Sequence, residues 1–338
     1  MKTQVIKPLF MWAGGKTKMM KHYNKLLPVG VKTYTEAFLG GGAMFLNVVN
    51  KYDIEKAYLN DINTDLIEIY QSIKDDAKLF CTYMDDLQKE YMNVPYDNAD
   101  KTERKKFYFK KREEYIEMYD TWGKEDNIIQ RAAVLYFLMK TGFNGIWQSS
   151  KKADGKFYTP AGLLNHKDVV YDKVNVMLWS KLLNDKKVEL TSKDWSDVTM
   201  GDFTFYDPPY RDSFTSYNTD FNDEQHKKLI ARVDETREQG KYVWLCNRDA
   251  GDGFFDKAKS TIKRFPITYT AGRRKANLIK YRFKKTEPVL VLQSKEAKYE
   301  AKQATEILLF NHKIPSLDAY LQLLPCVTQQ LMLQLDNN

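Results

Sequence analysis

Short extended apolar runs alternate along this chain with longer stretches of helical period. Tyr34 to Leu39, Ala57 to Leu59, Lys187 to Leu190, Phe203 to Tyr206, Lys241 to Asn247 and Pro288 to Leu292 are brief, rich in aromatic or branched residues, and predict strands. Leu66, Ile67, Ile69, Tyr70 and Ile73, then Ala132, Ala133, Leu135, Tyr136, Leu138 and Met139, recur at helical spacing and predict helices between Asn63 and about Lys140. Glycines and polar residues break that period over Thr141 to Gly162, which reads as a hairpin or loop insertion. A further helix starts at Asn222, where Gln225 completes a capping box. From Lys295 the pattern is helix-like, and Leu308, Leu309, Leu321 and Leu324 suit docking on the body or on a partner helix. The alternation predicts an α/β fold with an inserted helical and hairpin unit, and no internal repeat is visible.

The chemistry gathers where predicted strands end. Gly201 to Tyr210 reads GDFTFYDPPY, and the two prolines cannot continue a central ladder, so the chain turns at Asp207. Asp207 therefore stands at the carboxyl end of a strand, the edge at which open α/β sheets bind ligands. Pro208 and Pro209 stiffen the turn that presents Asp207 and Tyr210. An ordinary strand-ending turn accounts for the local composition equally well. Tyr34 to Leu39 runs into Gly40, Gly41 and Gly42 and then a helix, an order that lets backbone approach a ligand. Phe45 stands where the dinucleotide fingerprint needs a small residue, so NAD is excluded. Asp61 ends the next strand, in the position from which Rossmann-like folds hold ribose hydroxyls. A ribose-bearing ligand without a pyrophosphate fits, and S-adenosylmethionine is of that kind. Gly15-Lys16-Thr17 resembles the end of a P-loop, but Phe10 occupies the position of its first glycine. The remaining reading is a Gly-rich turn whose Trp12 and Lys16 touch a ligand carrying an aromatic ring and a carboxylate.

Charge changes the picture toward a phosphate-rich partner. The 53 Lys and Arg against 45 Asp and Glu leave +8 and a pI near 9.0. Lys101 to Arg112 concentrates seven basic residues around three aromatics, either a solvated helix face over a buried stripe or a face for phosphates. A second cluster holds Arg273, Arg274, Lys275, Lys280, Arg282, Lys284 and Lys285. The insertion carries Phe143, Asn144, Trp147, Gln148, Lys151 and Lys152, groups suited to stacking, base-edge hydrogen bonds and phosphate contact. Cys81, Cys246 and Cys326 lack C-x-x-C spacing and read as reduced thiols, and the four histidines lack ligand spacing, so no metal is expected. No G-x-S-x-G occurs, and no run approaches a membrane span, which predicts a cytoplasmic, soluble protein.

F-x-W-A-G-G-K, E-A-F-x-G-G-G, N-D-I-N-x-D-L-I, the T-G-F-N-G loop and F-Y-D-P-P-Y, in that order over roughly Lys7 to Leu292, resemble the Dam-type, D12 class, DNA adenine-N6 methyltransferases of the alpha arrangement. The resemblance implies a Rossmann-like S-adenosylmethionine-binding catalytic domain over 1–63 and 187–294, a target-recognition domain over 64–186 and a tail over 295–338 without a counterpart. It implies that Trp12, Lys16, Glu36, Gly40 to Gly42, Asp61 and Asp207 meet the cofactor, and that Asp207, Pro208, Pro209 and Tyr210 form the catalytic site. Phe143 matches an aromatic that wedges beside the target pair. Double-stranded DNA is then the partner, a separately acting restriction endonuclease a possible companion, and a monomer or weak dimer on DNA the working form in a bacterium or virus-infected cell. Gln148 stands where GATC-reading members carry arginine; glutamine suits adenine, which points away from GATC. Cytosine-N4 transfer and a silent DNA-binding module on the same fold are the alternatives.

Overall fold

The computed structural model describes residues 5–12, 14–97, 100–121, 127–145, 147–150, 155–211, 221–236, 239–269 and 302–314. Seven strands form one sheet: β1 (Thr33–Glu36), β2 (Lys56–Asn60), β3 (Glu189–Thr191), β4 (Phe203–Tyr206), β5 (Tyr242–Asp249), β6 (Thr261–Tyr269) and β7 (Lys302–Phe310). Their order across the sheet is β3-β2-β1-β4-β5-β7-β6. The first five are parallel, and β7 runs antiparallel between β5 and β6. The short helix α1 (Met20–Tyr23) and then α2 (Ala43–Val49) flank β1, and α3 (Thr64–Asn93), α4 (Thr102–Thr121), α5 (Ile128–Thr141) and α6 (Lys173–Asp185) lie between β2 and β3 in sequence. The helix α7 (Asp223–Thr236) joins β4 to β5.

Alternation along the strands explains the layers. Trp244, Cys246, Leu308 and Phe310 join one buried cluster with Tyr70, Tyr136 and Trp179 of the helices, while Val243, Leu245, Ile307 and Leu309 join another with Leu229 and Val233 of α7. Both faces are therefore covered, as a parallel sheet requires. The inserted helices share the first of these cores, so no separate core sets them off from the sheet. Asn63 caps α3 by accepting from the Leu66 N–H at 3.1 Å. At α7 the Asn222 side chain accepts from the Gln225 N–H at 3.1 Å, but the Gln225 side chain accepts from Trp195 Nε1 at 3.3 Å. That is half of the expected capping box, because the glutamine is drawn to a buried indole.

The tail departs from its expected helix. Lys302–Phe310 is a strand inserted at the middle of the antiparallel edge, with Leu308 and Leu309 facing opposite sides. Leucines favour helices locally, but two open strand edges offer nine residues a complete ladder and two apolar faces. The expected strand Pro288 to Leu292, together with Cys326, Leu321 and Leu324, lies outside the described residues. Among the described residues no helix is long and apolar enough to cross a membrane.

Candidate active site

The sheet order reverses between β1 and β4: from that pair the chain runs outward to β2 and β3 on one side and to β5 on the other. In open α/β sheets the carboxyl ends of the strands at such a reversal are where ligands bind. Glu36 ends β1, and Asp207 follows β4 directly. The expected glycine turn and Asp61 sit beside them at the ends of β1 and β2.

Asp61 binds the turn together. Its carboxylate accepts from the Gly40 N–H at 2.9 Å and from the Asn63 N–H at 3.0 Å. Burial pushes this carboxyl up to about 6 against those two hydrogen bonds. Gly40 has a φ of +48°, and a Cβ there would lie 2.6 Å from the Trp12 ring; one on Gly42 would lie 2.8 Å from Trp179. The glycines thus admit two indoles, a requirement from packing that their spacing in the sequence did not reveal. Ile62, next to Asp61, is exposed and offers an apolar wall.

Glu36 is buried and accepts from the Tyr34 hydroxyl at 3.0 Å. Burial holds its carboxyl well above the usual range, partly opposed by the Tyr34 hydrogen bond. Lys16, also buried, donates to both oxygens of Asp207 at 2.6 Å, to the Tyr210 hydroxyl at 2.7 Å and to the Gly14 carbonyl at 2.8 Å. Burial is the largest single influence and opposes its charge, yet Asp207, Cys246, Tyr210 and Glu306 together outweigh it and keep the ammonium well above the ordinary lysine range. Its Nζ also stands 4.8 Å from the centre of the Tyr210 ring. The Cys246 thiol donates to Asp207 Oδ1 at 3.1 Å. Just beyond Tyr210, the Asn247 side chain accepts from the Arg211 N–H at 3.2 Å, and Arg211 binds Asp223 and Asp252 at 2.7 and 2.8 Å, which fixes where the chain leaves the turn.

The expected hairpin is present as antiparallel bridges between Gly142 and Ala161 and between Ser149 and Phe157. Phe143 and Asn144 are exposed at its base, and Gln148 is half-buried, its backbone held by Thr159 Oγ1 at 3.1 Å and the Tyr158 N–H at 2.7 Å. Trp147 departs from the expected stacking role: it is 6% exposed, 5.2 Å from Phe157 and 6.5 Å from Trp12. Its indole closes the seam between hairpin and glycine turn, where burial favours it over presentation to a base. Lys151, Lys152, Arg273, Arg274 and Lys275, with the rest of that second basic cluster, lie outside the described residues.

The basic stretch on α4 divides in two. Arg104, Lys111 and Arg112 are buried, whereas Lys105, Lys106 and Lys110 are exposed. Arg104 donates to the carbonyls of Leu164 and His166 at 3.1 and 2.6 Å. Arg112 donates to the Thr159 carbonyl at 3.2 Å and lies 3.8 Å over the Tyr158 ring. Arg112 props the hairpin, Arg104 holds the segment that follows it, and Lys111 pairs with Glu90 and Glu114; buried and partnered, these three differ from the exposed lysines beside them.

Sequence reasoning missed Tyr23 and Glu306. Glu306 of β7 is 1% exposed and accepts from the Tyr23 hydroxyl at 2.8 Å, with Lys16 Nζ 3.9 Å away. One acid inside the apolar run Ala304 to Phe310 was the available signal, but a helical reading of that run hides which face it shares.

A mostly parallel sheet with a carboxylate-lined crevice at its switch point is the architecture of a Rossmann-like methyltransferase. Residues 12–298 match the family model of the D12 class N6 adenine-specific DNA methyltransferase, and the chain belongs to that family. It is 32% identical to the type II methyltransferase M.MjaIII of Methanocaldococcus jannaschii, over 75% of this chain and 87% of that protein. It is 27% identical to the type II methyltransferase M1.LlaDCHI of Lactococcus lactis subsp. cremoris, over 72% and 81%. It is 25% identical to a DNA adenine methylase of Vibrio cholerae, over 70% and 80%. The protein is an adenine-specific DNA methyltransferase.

Proposed function

We propose that the chain methylates the N6 amine of adenine within one short sequence of double-stranded DNA, using S-adenosylmethionine and an adenine flipped out of the duplex. The observation that carries this reading is the position of Asp207 at the carboxyl end of β4, in the crevice beside the Asp61-tied glycine turn.

The donor set fits the cofactor. Glu36 is a buried carboxylate suited to an ammonium, Asp61 keeps acceptor capacity for ribose hydroxyls, and Ile62 offers an apolar wall for a base. Trp12 closes the glycine turn beneath them. When bound, S-adenosylmethionine supplies a methyl group made electrophilic by its sulfonium.

An exocyclic amine on a purine gives its lone pair to the ring and is a poor nucleophile. Asp207 and the Pro208 carbonyl accept its two N–H bonds and turn the nitrogen toward a tetrahedral form, lone pair outward. Asp207 then takes the proton that the alkylated nitrogen sheds. Positioning and electrostatics drive the step. Flipping costs a few kcal/mol, and stacking on Tyr210, on the order of 1 to 3 kcal/mol, offsets much of it. Lys16 holds the hydroxyl of that ring at 2.7 Å and so fixes its position. Phe143, exposed at the hairpin base, is placed to wedge beside the vacated pair, and Gln148 to read a base edge. The type II names of two relatives favour a modification role beside a separately acting endonuclease.

Asp207→Ala tests the reading. It is expected to lower the single-turnover rate of methyl transfer by about 10² to 10³-fold, in the range seen when one preorganised group is removed, while duplex binding persists. Wild-type turnover in this variant overturns the mechanism.

A further inference from the structure

The ammonium of Lys16 holds the two oxygens that the target amine would need. Both Asp207 oxygens lie 2.6 Å from Nζ, and Cys246 donates to one of them as well. A neutral amine is a weaker donor than an ammonium, so it cannot displace Lys16 unless the charge has another partner. An ammonium withdrawn from a carboxylate inside a dry site would otherwise bear the full cost of an uncompensated buried charge.

The second partner is already built. Glu306 Oε1 stands 3.9 Å from Lys16 Nζ, inside ion-pair reach and just beyond a hydrogen bond. The carboxylate is fixed from behind by the Tyr23 hydroxyl at 2.8 Å, and Tyr23 is fully buried against Trp244 and Phe205. The Tyr210 hydroxyl accepts from Lys16 at 2.7 Å, which ties it to the same ammonium. A shift of about an ångström by one flexible side chain exchanges one carboxylate for the other. Glu306 is 1% exposed and leads directly into the buried apolar half of its strand, Ile307, Leu308, Leu309 and Phe310. A lone acid in that setting is costly to bury, and an apolar residue would suit the core better. The match to the family ends at residue 298, before β7 begins.

We propose that Glu306 is the alternate counter-ion for Lys16: it takes the ammonium when Asp207 turns to the adenine amine, which makes it a positioning residue for methyl transfer. The proposal rests on Asp207 acting as acceptor in the reading above. The lysine stays charged throughout, no bond is made or broken in the exchange, and Tyr210 moves with it.

The test measures single-turnover methyl transfer at saturating S-adenosylmethionine and duplex for Glu306→Gln and Glu306→Asp, with Asp207→Ala alongside. Glu306→Gln keeps the shape and removes the charge. It is expected to slow transfer tenfold or more with cofactor and DNA affinity within twofold of wild type, while Glu306→Asp, which keeps the charge, recovers part of the rate. A Glu306→Gln enzyme that turns over like wild type overturns the proposal, as does a Glu306→Asp enzyme no faster than Glu306→Gln. A loss confined to melting temperature, with the rate per folded molecule intact, marks a purely structural carboxylate and also overturns it. If Asp207→Ala itself turns over normally, the underlying mechanism fails; if only Glu306→Gln does, the mechanism stands and the exchange falls.

Discussion

At the strand ends, Lys16 is an ammonium shared between two carboxylates, Asp207 and Glu306, whereas on α4 the buried Arg112 binds a main-chain carbonyl and a ring face of the hairpin and the buried Arg104 binds the carbonyls of the segment that follows it. The two regions hold charges of similar burial for different ends. A carboxylate pair around one ammonium gives it a second partner within ion-pair reach. A guanidinium clamped to carbonyls has one arrangement and holds a loop still. The residues proposed to meet DNA, Phe143, Asn144 and Gln148, stand on the still part.

That contrast breaks first at Arg104. Arg104→Ala leaves the Leu164 and His166 carbonyls without their buried donor and removes a cation from the Tyr91 and Tyr96 rings. The expected loss is about 3 kcal/mol of folding stability, read by denaturant unfolding, with the methylation rate per folded molecule nearly unchanged. The neighbouring exposed Lys106→Ala is expected within about 0.5 kcal/mol of wild type. Equal losses at the two positions would erase the distinction between prop and surface.

A smaller effect sharpens the crevice side. The Asp61 carboxyl is raised to about 6 in the folded chain, above its ordinary 3.8, so folding is favoured most below that ordinary value and loses this contribution as pH rises toward 6. Ligand binding has the opposite sign, because ribose hydroxyls donate to the ionised carboxylate. Cofactor affinity, measured by titration from pH 5 to 7.5, is expected to weaken by about tenfold per pH unit below 6. Asp61→Asn binds weakly at every pH and flattens that profile. A steep profile that survives in the variant assigns the titration elsewhere.

The arrangement of strand, turn and helix around the candidate site was legible in the sequence for a physical reason: those signals are local there. Phe203 to Tyr206 with two prolines after it specifies where Asp207 stands, and the run from Tyr34 through Gly42 specifies the neighbouring turn. The meaning of the glycines was not legible, since Trp12 and Trp179 reach them from about 30 and 140 residues away in sequence. Nor was the role of Arg104 and Arg112, whose carbonyl partners are about 50 to 60 residues distant. Trp147 looked like a reader because composition does not report burial. Glu306 was hidden by leucines that favour a helix alone and a strand between two open edges.

The smallest expected effect on affinity, and the largest on choice, belongs to Gln148. Base-resolved mapping of methylation on random-sequence DNA, with S-adenosylmethionine and either the wild-type protein or Gln148→Arg, reads choice and chemistry together. The wild type is expected to place N6-methyladenine within a single short sequence, and Gln148→Arg to change the preferred flanking base toward guanine while binding duplex within a few-fold. Methyl groups on cytosine N4, or adenine methylation with no sequence preference, would contradict the account.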